Sequence, residues 1–218
     1  MHQDIMSMIG FGAGGVVATA LTVTSVNATT STLSTITAPA TINAGDVLVL
    51  FDTALGSGLP TNVVPSGFTQ IVTYTSTEVR NTVSYKIAAG TEDGSTITGM
   101  NGDVANDKVM LRIVPSAAVA TVTVGSLTSQ ITDADPTAQN CTASAGVVPL
   151  VVCGWYTADS NISGATRTFS PAQDAEVNSS VYSYVKYKIY NSSPADTSVD
   201  LNDTGFNNAI SSFYLQVA

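Results

Sequence analysis

Val83-Ser84-Tyr85-Lys86-Ile87 and, 102 positions further on, Val185-Lys186-Tyr187-Lys188-Ile189 decide how this chain is read. In each segment apolar and aromatic side chains alternate with Ser or Lys. A β-strand sends successive side chains to opposite faces, so this period of two marks a strand with one face in a core. The same shift carries Leu48-Val49-Leu50 onto Leu150-Val151-Val152 and Leu111 and Ile113 onto Phe213 and Leu215. It also brings Val23 near Val124 and Ala44-Gly45 near Ala145-Gly146. One offset recurring over separate segments is the signature of an internal repeat. The halves fall at about 19–118 and 119–218. Each runs from an alternating strand through an Ala-Gly turn and a buried run to a Tyr-Lys-Ile strand and a closing strand.

Outward from the repeat, almost every segment past residue 16 reads as strand. Leu21 to Val26, Phe68 to Thr75 and Asn81 to Ala88 alternate, whereas Val47-Leu48-Val49-Leu50-Phe51 is continuously apolar. Such a run suits a central strand covered on both faces. Val109 to Val114 and Val119 to Val124 complete the first half. The turns Asn43-Ala44-Gly45-Asp46, Pro65-Ser66-Gly67, Glu92-Asp93-Gly94 and Asn101-Gly102-Asp103 punctuate these runs. No long window holds a helical period. The expected fold is all-β, an antiparallel sandwich or jelly-roll-like body over 19–218 built from two similar halves. The halves could be separate small sandwiches, or each could supply part of both sheets of one larger sandwich. The strand-like join from Pro115 to Ser129 favours a single packed body.

Hydrophobic residues are 44% of the 218, enough for a sizeable core, and charged residues only 11%. Ser, Thr and Asn stand in for charge at the surface, which suits a pleated sheet. The net charge is −9, with seven Lys and Arg. No basic stripe is available for phosphates or an anionic membrane, so neither nucleic acid nor membrane is an expected partner. A cationic surface or a divalent ion would fit the charge better, although negative charge also simply keeps a protein dispersed.

Residues 8–23, MIGFGAGGVVATALTV, are apolar and Gly-rich. They lack the basic flank of a secretory signal and are shorter than a bilayer span. One reading makes residues 1–18 an arm whose Ile9, Phe11, Val16 and Val17 dock on a neighbouring chain. The other is an ordinary first strand beginning near Val16. Cys153 lies in an apolar run, where a free thiol packs as a small hydrophobe. A bridge to Cys141 would require the two segments to be adjacent strands.

Chemistry has few openings. His2 is the sole histidine, which removes Ser-His-Asp and Cys-His arrangements and histidine-ligated zinc from the body. The glycines at Gly10 and Gly12 follow no strand and open no helix, so they form no phosphate loop. Paired carboxylates could still cleave glycosides, and Asp46, Asp52, Asp133, Asp135, Asp159, Asp174 and Glu176 are available, mostly in turns. No cofactor is expected. Ca²⁺ is the one ion given weight, at Asp133-Ala134-Asp135 or Asn101-Gly102-Asp103, and solvated turns are the favoured reading there. For glycans the candidates are Trp155-Tyr156, Tyr182, Tyr184, Tyr187 and Tyr190. Tyr182 and Tyr184 share a strand face with Lys186 and Lys188 that is expected to meet solvent, a sugar or a partner. Val185, Tyr187 and Ile189 take the core face, and Trp155 is expected in the core.

Ala44-Gly45-Asp46-Val47-Leu48-Val49-Leu50-Phe51, then Pro65-Ser66-Gly67-Phe68-Thr69, then Ser84-Tyr85-Lys86-Ile87-Ala88 and Gly90-Thr91-Glu92 form a pattern. It resembles a group of tailed-bacteriophage and prophage virion proteins, well over about residues 40–115 and in outline elsewhere. The second half departs most, with Pro149 at the buried strand and Ser170-Pro171-Ala172 in place of the Pro-x-Gly-aromatic turn. The resemblance implies a non-enzymatic structural protein at the virion surface, either a capsid decoration (cement) protein or a tail or fibre component. It further implies contact with a major capsid or other virion protein, and a homo-oligomer for which a trimer is the expected form. The reading from a different class is a carbohydrate-binding adhesion module.

Overall fold

A computed structural model of the chain describes residues 20–26, 34–55, 63–75, 79–100, 105–119, 121–132, 139–143, 148–158, 167–170, 172–178, 183–192, 197–203 and 208–217. The first half holds β1 (Leu21–Val26), β2 (Thr35–Thr37), β3 (Val47–Leu55), β4 (Thr69–Thr75), β5 (Val79–Ile87), β6 (Thr96–Thr98) and β7 (Ala105–Pro115). The second holds β8 (Val122–Thr132), β9 (Gln139–Ala143), β10 (Leu150–Ala158), β11 (Arg167–Ser170) and β12 (Ala175–Asn178). It closes with β13 (Ser183–Tyr190), β14 (Thr197–Asp203) and β15 (Asn208–Val217). Among the described residues there is no helix, and every strand pair is antiparallel.

The halves share one topology. The first builds a five-stranded sheet in the order β1-β7-β3-β5-β4, and the second builds β8-β15-β10-β13-β12. Each adds a small sheet, β2-β6 in the first and β11-β14-β9 in the second. Among the described strands only β11 lacks a counterpart. Continuous burial of all nine β3 residues explains the layering. Val47, Val49 and Phe51 join Val151, Cys153, Trp155, Phe213 and Leu215 in a core between the two large sheets. Leu48 and Leu50 point the other way, under the small sheet, with Ile36, Ala38, Ile42 and Met110. In the second half Leu150, Val152, Tyr156 and Tyr184 likewise pack with Cys141 and Phe169. The body is thus a stack of small sheet, large sheet, large sheet, small sheet.

Each half has its own pair of sheets, and the two halves meet through their large sheets. Each half completes its own large sheet, because strands close in sequence pair locally more readily than distant ones. Neither half can bury both faces of that sheet alone. The small sheet covers one face and the other half covers the second. Phe51 sits at the centre of the join, edge-on to Trp155 with ring centroids 5.6 Å apart and stacked on Phe213 at 6.1 Å.

The register also refines the repeat. Tyr85 pairs with Val49, but Tyr187 pairs with Cys153 and not with Val151. Leu111 pairs with Val49 and Phe213 with Cys153, so β10 is displaced by two residues from the offset that β13 and β15 share. A slip of two leaves every side chain on its own face, whereas a slip of one would turn the strand inside out. Cys141 and Cys153 are both buried and free. They belong to clusters on opposite faces of the second large sheet, which keeps them from bridging. Burial pushes the Cys153 thiol far above its ordinary pKa, and the nearby Cys141 adds to this.

Candidate functional site

The Ala-Gly-Asp turn, the end of the Tyr-Lys-Ile-Ala strand and the Gly-Thr-Glu turn converge at one end of the first large sheet. Asp46, at the mouth of β3, is 3% exposed. Its Oδ2 accepts the Asn43 N–H at 2.8 Å and Arg112 Nε at 2.6 Å. The Gly45 N–H donates to the Ala88 carbonyl at 2.9 Å, and the Ala88 N–H to the Asp46 carbonyl at 2.7 Å. The Ala-Gly-Asp turn and the end of the Tyr-Lys-Ile-Ala strand are therefore zipped together. Gly45 has φ +89°, and a Cβ there would stand 2.8 Å from Ala118 Cα and 2.9 Å from the Val119 nitrogen. Only glycine fits so close an approach at that dihedral.

Glu92 locks the next turn. It is 7% exposed. Its Oε1 accepts the Ala89 N–H at 3.1 Å and lies 2.8 Å from Lys86 Nζ. Its Oε2 accepts the N–H groups of Gly90 and Thr91, both at 3.0 Å. Burial alone would raise the pKa of this carboxyl. The Lys86 hydrogen bond, the Ala89 and Thr91 N–H groups and the Lys86 charge outweigh it, and the pKa falls from 4.5 to about 2. The turn closes when the Ser95 N–H and hydroxyl return to the Glu92 carbonyl at 3.0 and 2.8 Å.

A cleft of about 210 Å³ opens beside it, lined by Ser66, Phe68, Lys86, Glu92, Thr96 and Ile97 among others. That is below the roughly 300 Å³ at which ordinary small-molecule pockets begin. Its two charged groups already neutralise each other. The lining sets hydroxyl groups beside the Lys86–Glu92 pair, which makes it a small polar recess against the turn lock.

Charge elsewhere is committed in the same way. Five of the seven Lys and Arg are in ion pairs: Lys86–Glu92, Lys108–Asp52, Arg112–Asp46, Lys186–Glu176 and Lys188–Asp174. Arg80 is 8% exposed, with Nε 3.4 Å from Thr75 Oγ1. The side chain of Arg167 lies outside the described set. The carboxylates Asp46, Asp52, Asp174 and Glu176, candidates for glycoside cleavage, are thus each held by a cation. Asp133, Asp135 and Asp159 lie outside the described residues, as do both loops considered for Ca²⁺. Among the described residues no group of three or more His, Cys, Asp or Glu could hold a metal ion.

Ile9, Phe11, Val16, Val17 and Tyr182 also fall outside the described residues. Tyr184 does not lie where the sequence placed it. It is 6% exposed and packs against Phe169 and Cys141 beneath the three-stranded sheet, so the face expected to meet solvent or a partner is interior. Lys186 on that face is 4% exposed and reaches Glu176 of β12 at 3.1 Å. Farther along the strand Lys188 and Tyr190 stay half-buried, with Lys188 Nζ 5.8 Å from the ring centre. Trp155 is core, as expected, and its Nε1 donates to Ser183 Oγ at 3.0 Å. Tyr187 is core too.

Two buried features went unread. The Glu92 nest had a local signal in Gly90-Thr91-Glu92 next to the Lys86 strand. Asp52 and Lys108, each 1% exposed, directly adjoin the apolar runs Val47–Phe51 and Val109–Leu111, which was a signal for a buried pair. No protein-family model, curated protein or solved structure matches this chain.

Proposed function

We propose that this chain is a non-enzymatic structural protein carried on the surface of a tailed-phage virion, as a capsid decoration protein that assembles with copies of itself. The observation that carries the reading is the use made of the pattern residues. Asp46, Lys86, Ala88 and Glu92 are occupied with one another, with Arg112 or with turn backbone, and Gly45 packs against the backbone at Ala118 and Val119. A pattern spent on holding turns supports architecture in place of catalysis. Two further features agree with it. The described lysines and Arg112 are paired within the fold, and the chain is poor in charge and rich in hydroxyls, so its packed contacts would tolerate salt. Trp155 and Tyr184, which a sugar-binding platform would expose, are buried.

The test is to locate the chain in purified particles by cross-linking and imaging. Decoration predicts contacts from residues 1–20 to the major capsid protein, and their deletion should abolish particle binding while leaving the body folded. Contacts to a tail tube or baseplate would refute decoration in favour of a tail role. Specific binding to one glycan class, lost on surface substitution, would defeat a purely architectural one.

A further inference from the structure

We propose that Lys108 and Asp52 are joined by an intramolecular isopeptide bond between Nζ and Cγ, formed inside the first half and independent of any particle. The two residues stand directly opposite each other on the adjacent strands β7 and β3. Nζ lies 3.4 Å from Oδ1, and Cγ is one bond beyond that oxygen. Holding the amine side chain against the carboxyl group in a fixed register removes much of the entropic cost of bringing the two together.

Their surroundings exclude water. Each residue is 1% exposed. Leu50 and Met110, which lie two positions away on the same face of the sheet and pair with each other in register, are 1% and 0% exposed and belong to the apolar cluster beneath the two-stranded sheet. Two ions in such a place are costly to desolvate, and breaking even with an apolar pair is the usual best outcome. An amide is neutral and keeps one donor and one acceptor.

The internal repeat supplies a control. With the two-residue displacement of β10, the position of Asp52 and Lys108 in the second half is the register pair Tyr156 and Ile210. The same topology therefore closes with no charge at that point. The ionic pair is not a requirement of the fold, and its presence in one half alone points to chemistry specific to it.

The step balances without an oxidant or cofactor. The ammonium of Lys108 passes a proton to the Asp52 carboxylate, leaving an amine and a carboxylic acid. The Nζ lone pair attacks Cγ and the C–N bond forms. The bond from Cγ to the protonated oxygen then breaks, and that oxygen leaves as water with a second proton from nitrogen. The product ties two central strands of one sheet covalently, a stabilisation suited to a protein that must survive outside a cell.

Intact mass spectrometry of the full folded chain, denatured only for measurement, tests this. The expected mass is one water below that of the sequence, and digestion should yield a branched peptide linking the segments around Lys108 and Asp52. Lys108→Arg, which keeps the charge but cannot form the bond, should restore the full mass. The double variant Asp52→Leu with Lys108→Met, which imitates the uncharged pair of the second half, should do so too while remaining folded by circular dichroism. A folded wild-type chain with the unmodified mass overturns the proposal. So does a water loss that persists in either variant, since it would then arise elsewhere.

Discussion

Glu92→Gln should cost this protein about 3 kcal/mol at neutral pH, and the cost should vanish in acid. The side chain is 7% exposed, and its carboxylate accepts three backbone N–H groups and meets Lys86 at 2.8 Å. Glutamine keeps the shape but turns one acceptor oxygen into a donor that must face donors. The size follows from the depression of the pKa from 4.5 to about 2, with each unit worth about 1.4 kcal/mol. The sign follows from the direction of the shift. A carboxyl whose pKa is lower folded than unfolded contributes its full stability above the unfolded value of 4.5, and loses it as pH falls towards 2. Urea unfolding of both proteins, followed by circular dichroism from pH 7 down to pH 2, measures the difference directly. The wild type should lead by about 3 kcal/mol at pH 7 and converge on the variant near pH 2. A gap that stays constant across the range would show that the carboxylate charge contributes nothing, and a gap below about 1 kcal/mol would mean that water satisfies those N–H groups equally well.

Two further outcomes are expected. Gly45→Ala forces φ +89° on a side-chain-bearing residue and drives its Cβ to 2.8 Å from Ala118 Cα; a loss on the order of 2 kcal/mol or more in the same assay is expected, and a neutral result would mean the turn can reopen without penalty. Trp155→Ala removes the largest side chain of the join between the halves and should lower stability by about 3–5 kcal/mol. Because Phe51 packs on both Trp155 and Phe213, the loss should appear as one cooperative transition at lower denaturant, and two separated transitions would show that the halves fold independently.

The sequence by itself determined the strands, the repeat and the doubly buried centre of the first half. Period two in Leu21–Val26 and Val83–Ile87 and the apolar run of Val47–Phe51 are properties of the local chain, and the turn residues between them act locally as well. The glycine at position 45 was legible as a turn for the same reason. Tertiary structure decided everything that depends on what lies over a face. Alternation divides Val181–Tyr190 into two faces, but it cannot say that the face carrying Tyr184 and Lys186 lies beneath another sheet, since that cover comes from β9, β11 and β14 at a distance in sequence. The two-residue displacement of β10 was invisible because it moves no side chain to the wrong face. The meeting of Asp52 with Lys108 required the register of β3 against β7, fixed only when the sheet forms. Short-range periodicity records which side chains point together. What they point at is settled by long-range pairing, and in this chain that is where the buried lysine–aspartate pair arises.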